Sequence, residues 1–248
     1  MHIVIKFPTR SRPEKFKTVF SRYIELLSGD NKVTFIVSCD SDDETMNNQE
    51  MTDWIASQEK ENVLVQLHYG DHRSKVEAVN SHLDHITGDV LLVASDDMIP
   101  AALNYDSIVA QGFNTIFPNY DGAIKFNDGL RNDSLMTLPC LGWNLYKAIG
   151  HVYHPDYTSL YCDNEQTRLC AMLGKLAVSD MCICKHDWVP SDHINADELH
   201  KRNESFYVTC KKFYFRIRKR NSRRYCYSEK NNNKKSSFGK IILYSSLS

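Results

Sequence analysis

Four short apolar runs constrain this chain more than any other feature. They are HIVIKF at 2–7, VTFIVSCD at 33–40, VLVQLHYG at 63–70 and VLLVA at 90–94. Each is too short for a stable helix, and each is nearly continuous in apolar residues, which is the signature of a strand buried on both faces. Helical spacing fills the gaps. In PEKFKTVFSRYIELLSG, Phe16, Val19, Phe20, Tyr23, Ile24 and Leu27 fall on one face, with Pro13 near the start and Gly29 at the end. Residues 44–58 are also helical in pattern, and SKVEAVNSHLDHI at 74–86 places Val76, Val79, Leu83 and Ile86 together. The order βαβαβαβ predicts an α/β fold with a mostly parallel sheet flanked by helices.

The second half is more mixed. NTIFPNYDG at 114–122 and a segment near 135–141 read as strands, and LGWNLYKAIG at 141–150 reads as a short helix closed by Gly150. A helix is expected over 164–175 up to Gly174, then a strand with a polar loop over 176–188, then a helix over 196–219. The length of 248 residues suits one domain with an appendage. Charge divides the two. Residues 211–248 carry twelve Lys or Arg and one acid, Glu229, whereas 1–210 carry eighteen basic and thirty acidic residues. The expected division is therefore a globular domain over 1–210 and a flexible basic tail over 211–248. An acidic body argues against nucleic acid as its specific ligand, while the tail can meet anionic lipid or nucleic acid. No apolar run reaches the ~20 residues that span a bilayer. MHIVIKFPTR has no secretory pattern, so a cytoplasmic protein is expected, with peripheral contact at the inner membrane surface through the tail. The eight cysteines form no CxxC pair, which gives no zinc-site spacing.

Ligands of open α/β sheets sit beyond the carboxyl ends of the strands. Three of the first four strands deliver charge there: Arg10 and Arg12, then Asp40 and Asp42, then Asp96 and Asp97. Adjacent carboxylates near a core repel and lose solvation, so a divalent cation or basic side chains must offset the cost. The helix after the third strand starts near Arg73, Ser74 and Lys75, whose charges and backbone amides suit a phosphate. One sheet edge thus offers groups for a cation and for an anion, which is what a metal–diphosphate ligand needs.

FPTRSRPEKF, VSCDSDDET, SKVEAVN and above all GDVLLVASDDMI resemble the GT-A fold glycosyltransferases, in particular the family 2-like nucleotide-diphosphosugar transferases. The resemblance covers about 2–205 and implies a Rossmann-like GT-A sheet with a mixed acceptor-side half. It also implies a metal-dependent, inverting transferase that moves a sugar from a UDP-linked donor to a hydroxyl of a glycan or lipid-linked acceptor. By that resemblance, Pro8, Thr9, Arg10 and Arg12 form the loop after the first strand, and Asp40 meets the base or ribose, with Asp42 beside it. The motif at the fourth strand holds Mn²⁺ or Mg²⁺. Ala94 stands where many members have an acid, which leaves Asp97 as the metal ligand and puts Asp96 on the ribose or on a water. Asp163, in CDNEQ, corresponds to the base that deprotonates the acceptor, with Glu165 in reserve. His186 is a further candidate metal ligand or phosphate donor. Trp143 and Trp188 are candidates to stack on a sugar face. Two other readings stand beside this one. A sugar-phosphate nucleotidyltransferase usually has a Gly-rich loop after the first strand, and FPTRSRP has no glycine. A catalytically inactive nucleotide-sugar-binding protein would keep the fold without the reaction.

Overall fold

A computed structural model describes residues 1–187, 197–221, 234–236 and 239–244. The first half alternates as the pattern predicts: β1 (His2–Pro8), α1 (Pro13–Glu25), β2 (Lys32–Asp40), α2 (Gln49–Ala56), β3 (Val63–Gly70), α3 (Lys75–Asn80) and β4 (Val90–Val93). Then follow β5 (Met98–Pro100), α4 (Tyr105–Ile116), β6 (Ala123–Asn127), β7 (Cys140–Gly142), α5 (Trp143–Ile149), α6 (Cys162–Met172), β8 (Leu176–Cys182) and β9 (Cys184–His186). The described chain ends with α7 (Glu198–Ser205), α8 (Tyr207–Asn221), β10 (Lys234–Ser236) and β11 (Gly239–Tyr244). Among the described residues, no helix is long and apolar enough to cross a membrane.

The main sheet runs β10-β11-β8-β6-β7-β4-β1-β2-β3. β1 pairs parallel with β2 on one side and β4 on the other, and β2 pairs parallel with β3. β7 is antiparallel to both β4 and β6, β8 is parallel to β6, and β11 joins β8 antiparallel. Because β1 lies between β2 and β4, the strand order reverses beside it, and the crevice at a reversal is where α/β sheets bind ligands.

Strand alternation divides the core between the two faces. Ile3, Ile5 and Phe7 point to one face, with Phe16, Phe20 and Tyr23 of α1 and with Val90 and Leu92. Val4, Leu91 and Val93 point to the other, with Val76, Trp143, Tyr146, Tyr153 and Tyr157. Phe7 meets Phe16 and Tyr23 edge-on, at ring separations of 5.2 and 5.7 Å. Trp143 is therefore a core side chain packed on Tyr146, not a sugar platform.

Two local expectations are corrected. Residues 114–122 are no strand: Ile116 ends α4, the Phe117 amide bonds back to the Phe113 carbonyl, and Pro118 cannot continue the ladder. The apolar pair Ile116–Phe117 belongs to a helix face. The helix expected over 74–86 stops at Asn80, because Ser81 is extended and its carbonyl accepts from the buried Lys6 ammonium at 2.8 Å. Leu83 still reaches the core. Separately, residue 210 lies within α8, a continuous helix that contacts α6. Trp188, Asp192, His193 and, in the basic tail, residues 222–233, 237–238 and 245–248 lie outside the described residues.

Candidate functional site

The carboxyl ends of β1, β2 and β4 open into one cavity of about 750 Å³, counted to its open mouth. It is lined by Pro8, Thr9, Arg10, Arg12, Asp40, Lys75, Asp96 and Asp97, eight of the residues singled out from the sequence. Of the others, Asp163 and His186 line a neighbouring cleft, and Asp42 and Arg73 line neither. Asp42 is exposed and serves only to grip Arg10, at 2.5 and 3.0 Å. Arg73 points to solvent and pairs with Glu77 one turn on, so the phosphate role expected of it is not supported by its position.

Ion pairs hold the loop after β1. Arg10 donates to Asp40 at 2.5 Å, and Asp40 also contacts His72 Nδ1 at 2.9 Å. Burial disfavours the Asp40 carboxylate, but His72 and Arg10 together pull its pKa below the ordinary value. Arg12 donates to Asp96 at 2.7 Å and grips Asp197, the N-cap of α7, at 2.6 and 2.8 Å. Thr9 donates to the other oxygen of Asp96 at 3.4 Å.

The two adjacent aspartates are thereby split. Asp96 is buried, and that burial raises its pKa despite Arg12. Asp97 goes the other way: burial opposes its charge, but His186, the Ser95 hydroxyl and Lys75 hold it well below the carboxylate range. Lys75 starts α3, whose N-cap is Ser74, and lines the cavity. Protein walls weigh against its ammonium, yet Cys162, Asp97, Asp163 and Asp96 around it raise its pKa. Of the cavity's cations, Arg10 and Arg12 are already paired, so Lys75 and Arg202 of α7 are the ones left to face an anion.

His186 reaches the site through a small second sheet. β5 follows Asp97 directly and pairs antiparallel with β9, which sets Met98 opposite His186. The Asp187 amide donates to the Asp97 carbonyl at 2.7 Å. His186 Nε2 then lies 3.8 Å from Asp97 Oδ2, and Nδ1 lies 3.9 Å from Asp128 Oδ2. Both separations exceed a hydrogen bond, and the buried Nδ1 has no partner. An ionised carboxylate 3.8 Å from the imidazole Nε2 fits a divalent cation as a two-ligand protein set, while the unpartnered Nδ1 faces Asp128 instead. No group of three such side chains occurs among the described residues, so a bound ligand would complete the shell.

A second cleft adjoins this pair. His186 lines it together with Asp163, Tyr161, Tyr207 and Arg131. Asp163 sits in the first turn of α6 but does not cap it: Tyr161 is the N-cap, in the left-handed region at φ 65°. The Asp163 carboxylate accepts from the Asn164 amide at 2.9 Å. Glu165 lies elsewhere, in a third cleft beside Arg168, so it is no substitute for Asp163. His72, Ser95, Arg202 and the tyrosines were not singled out from the sequence. His72 adjoins Arg73 in GDHRSK, but nothing in that stretch shows which of the two turns inward.

No protein-family model matches the chain, and no curated protein matches it. Solved structures do. The mannosyltransferase PcManGT from Pyrobaculum calidifontis, in complex with GDP-Man and Mn²⁺, superposes with a TM-score of 0.62 at 14% identity, over 86% of this chain and 64% of that one. TarS from S. aureus in complex with UDP-GlcNAc gives 0.57 at 13%, over 85% and 66%. The 4-diphosphocytidyl-2C-methyl-D-erythritol synthase from Anaerococcus prevotii gives 0.50 at 9%, over 84% and 98%. This chain spans about two thirds of PcManGT and TarS. At such identities the likeness is one of fold: the chain has the GT-A-type α/β fold that its motifs resemble.

Proposed function

We propose that the protein is a metal-dependent glycosyltransferase that takes a UDP-linked sugar and places it on a hydroxyl of a glycan or lipid-linked acceptor with inversion. The observation that carries this reading is the Asp97–His186 pair. Asp97 lines the charged cavity, His186 lines the cleft of Asp163, and 3.8 Å separates them. A reaction centre between a donor site and an acceptor site needs such a junction.

Asp97 and His186 would hold Mn²⁺ or Mg²⁺, which supplies a positive charge for the diphosphate that leaves. Lys75 and Arg202 line the same cavity and would face the phosphates. Asp40, fixed by Arg10 and His72, forms the base-proximal wall. In the transfer, the acceptor oxygen bonds to C1 of the sugar as the bond from C1 to the diphosphate oxygen breaks. The bonding pair leaves with the nucleoside diphosphate, and Asp163 takes the hydroxyl proton. α7 covers part of the cavity with Leu199 and Asn203, and Phe206 at its C-cap adds to that wall, which limits water near the donor.

Calorimetric titration of UDP and GDP, with Mn²⁺ and with chelator, tests the donor site. The expected outcome is metal-dependent binding of UDP that Asp97→Ala abolishes. No binding of either nucleotide under any condition would overturn the proposal. Given UDP binding, Asp163→Asn should leave affinity within about twofold and lower turnover by at least the ~10²-fold that a general base contributes. One second reading has its own observation: this chain spans 98% of the Anaerococcus synthase, far more than of the two larger structures. A nucleotidyltransferase would release diphosphate from a nucleoside triphosphate and a sugar phosphate, which a diphosphate-release assay separates from sugar transfer.

A further inference from the structure

Helix α8 has two unlike faces. Cys210 is buried, and Phe213, Tyr214 and Ile217 pack inward against the core of the second sheet face. The opposite face carries apolar side chains that the described residues leave exposed. Val208 is 59% exposed and Phe215 44%. They are seven positions apart, two turns of helix, and therefore lie on nearly one line. Lys212 falls between them on the same side, and Arg216 and Arg218 flank Phe215; all three are exposed. None of the three makes an ion pair among the described residues. Leu173, at the end of α6, is 48% exposed across the third cleft from Ile217.

An exposed apolar line bordered by unneutralised cations is the pattern of a helix that lies in a membrane interface, with the apolar side chains among the acyl chains and the cations at the headgroups. From this face we infer that α8 docks the protein on an anionic lipid bilayer. The charge balance agrees: the acidic body is repelled by such a surface, and the excess of cations starts at Lys211, in this helix. Nucleic acid fits less well, because Val208 and Leu173 are aliphatic and cannot stack on a base. Docking also has a consequence for the candidate site. Tyr207, the first residue of α8, lines the cleft of Asp163, so the bilayer surface comes beside that cleft.

The test is co-sedimentation of the full chain with phosphatidylcholine vesicles and with vesicles that also hold about 30 mol % phosphatidylserine. The expected result is binding to the anionic vesicles alone, weakened about fivefold for each cation lost in Lys212→Gln and Arg216→Gln. Phe215→Ser should weaken it several-fold as well. Circular dichroism should show the same spectrum for these variants as for wild type, since all three positions are exposed. Four results would overturn the inference: no binding to anionic vesicles, equal binding to neutral ones, binding unchanged by all three substitutions, or binding of a single-stranded RNA homopolymer in place of vesicles that the same substitutions abolish.

Discussion

Lys6 lies in the middle of β1 with none of its surface exposed. Its ammonium donates to Ser38 Oγ and to the Ser81 carbonyl, and among the described residues no carboxylate pairs with it. Desolvation therefore lowers its pKa from 10.5 to about 7. His82, which bonds Ser38 Oγ at 3.0 Å and stacks on His68, is pushed down to about 4 by burial and then by Lys6. The sign of the linkage is fixed by these values. Above pH 7 the folded chain releases the Lys6 proton while the unfolded chain keeps it up to 10.5, so stability rises with pH in that window. Buried thiols oppose the trend above the ordinary thiol value of 9, because Cys39 and Cys184 are raised to about 12 in the fold. Between pH 7 and 9, wild type should gain on the order of 2 kcal/mol and Lys6→Met should gain almost none. Urea midpoints at several pH values check this, and parallel slopes for the two proteins would refute it. At this scale the candidate site was unevenly legible. Asp40, Asp96 and Asp97 stand out because acids after apolar runs break a local pattern. His72 and Arg202 break none, so nothing local marks them.

Among the elements, α3 is the shortest helix that carries a site residue, and side chains anchor it at both ends. Ser74 caps the start by accepting from the Glu77 amide, which aims Lys75 into the cavity. Asn80 fixes the end: its carbonyl accepts from the amides of Val152 and Tyr153 at 2.9 and 3.1 Å, and its amide donates to the Tyr153 carbonyl at 2.7 Å. Asn80→Ala removes all three bonds and strands backbone groups of the 152–153 loop, which costs about 2 kcal/mol. Chemical denaturation measures that loss. Nucleotide affinity should fall in the same variant, since Lys75 loses its support. The helical pattern at 74–86 extends past Asn80 because Leu83 and Ile86 keep an apolar spacing. What stops the helix are contacts with distant parts of the chain, Asn80 with Val152 and the Ser81 carbonyl with Lys6, which periodicity cannot register.

Across the whole molecule, distant parts of the chain meet at Arg12. Its guanidinium joins Asp96, beyond β4, to Asp197, at the start of α7, and so holds that helix over the cavity. Bound nucleotide should therefore slow amide hydrogen exchange in α7 and leave β3 unchanged. Equal protection everywhere, or none in α7, would show that α7 is no wall of the site. The sequence by itself determined the parallel half of the sheet, because strand and helix periods follow from residues within one turn or one pleat of each other. It determined where charge gathers too, because apolar runs end at marked positions. Only the tertiary structure decided that His186 stands 3.8 Å from Asp97 and that Glu165 turns to another cleft from Asp163. It also decided that Arg73 faces solvent while Lys75, two residues on, faces the cavity. These outcomes depend on the pairing of β5 with β9 and on which wall of a cleft each helix face meets, and such contacts are set by packing between segments far apart in the chain.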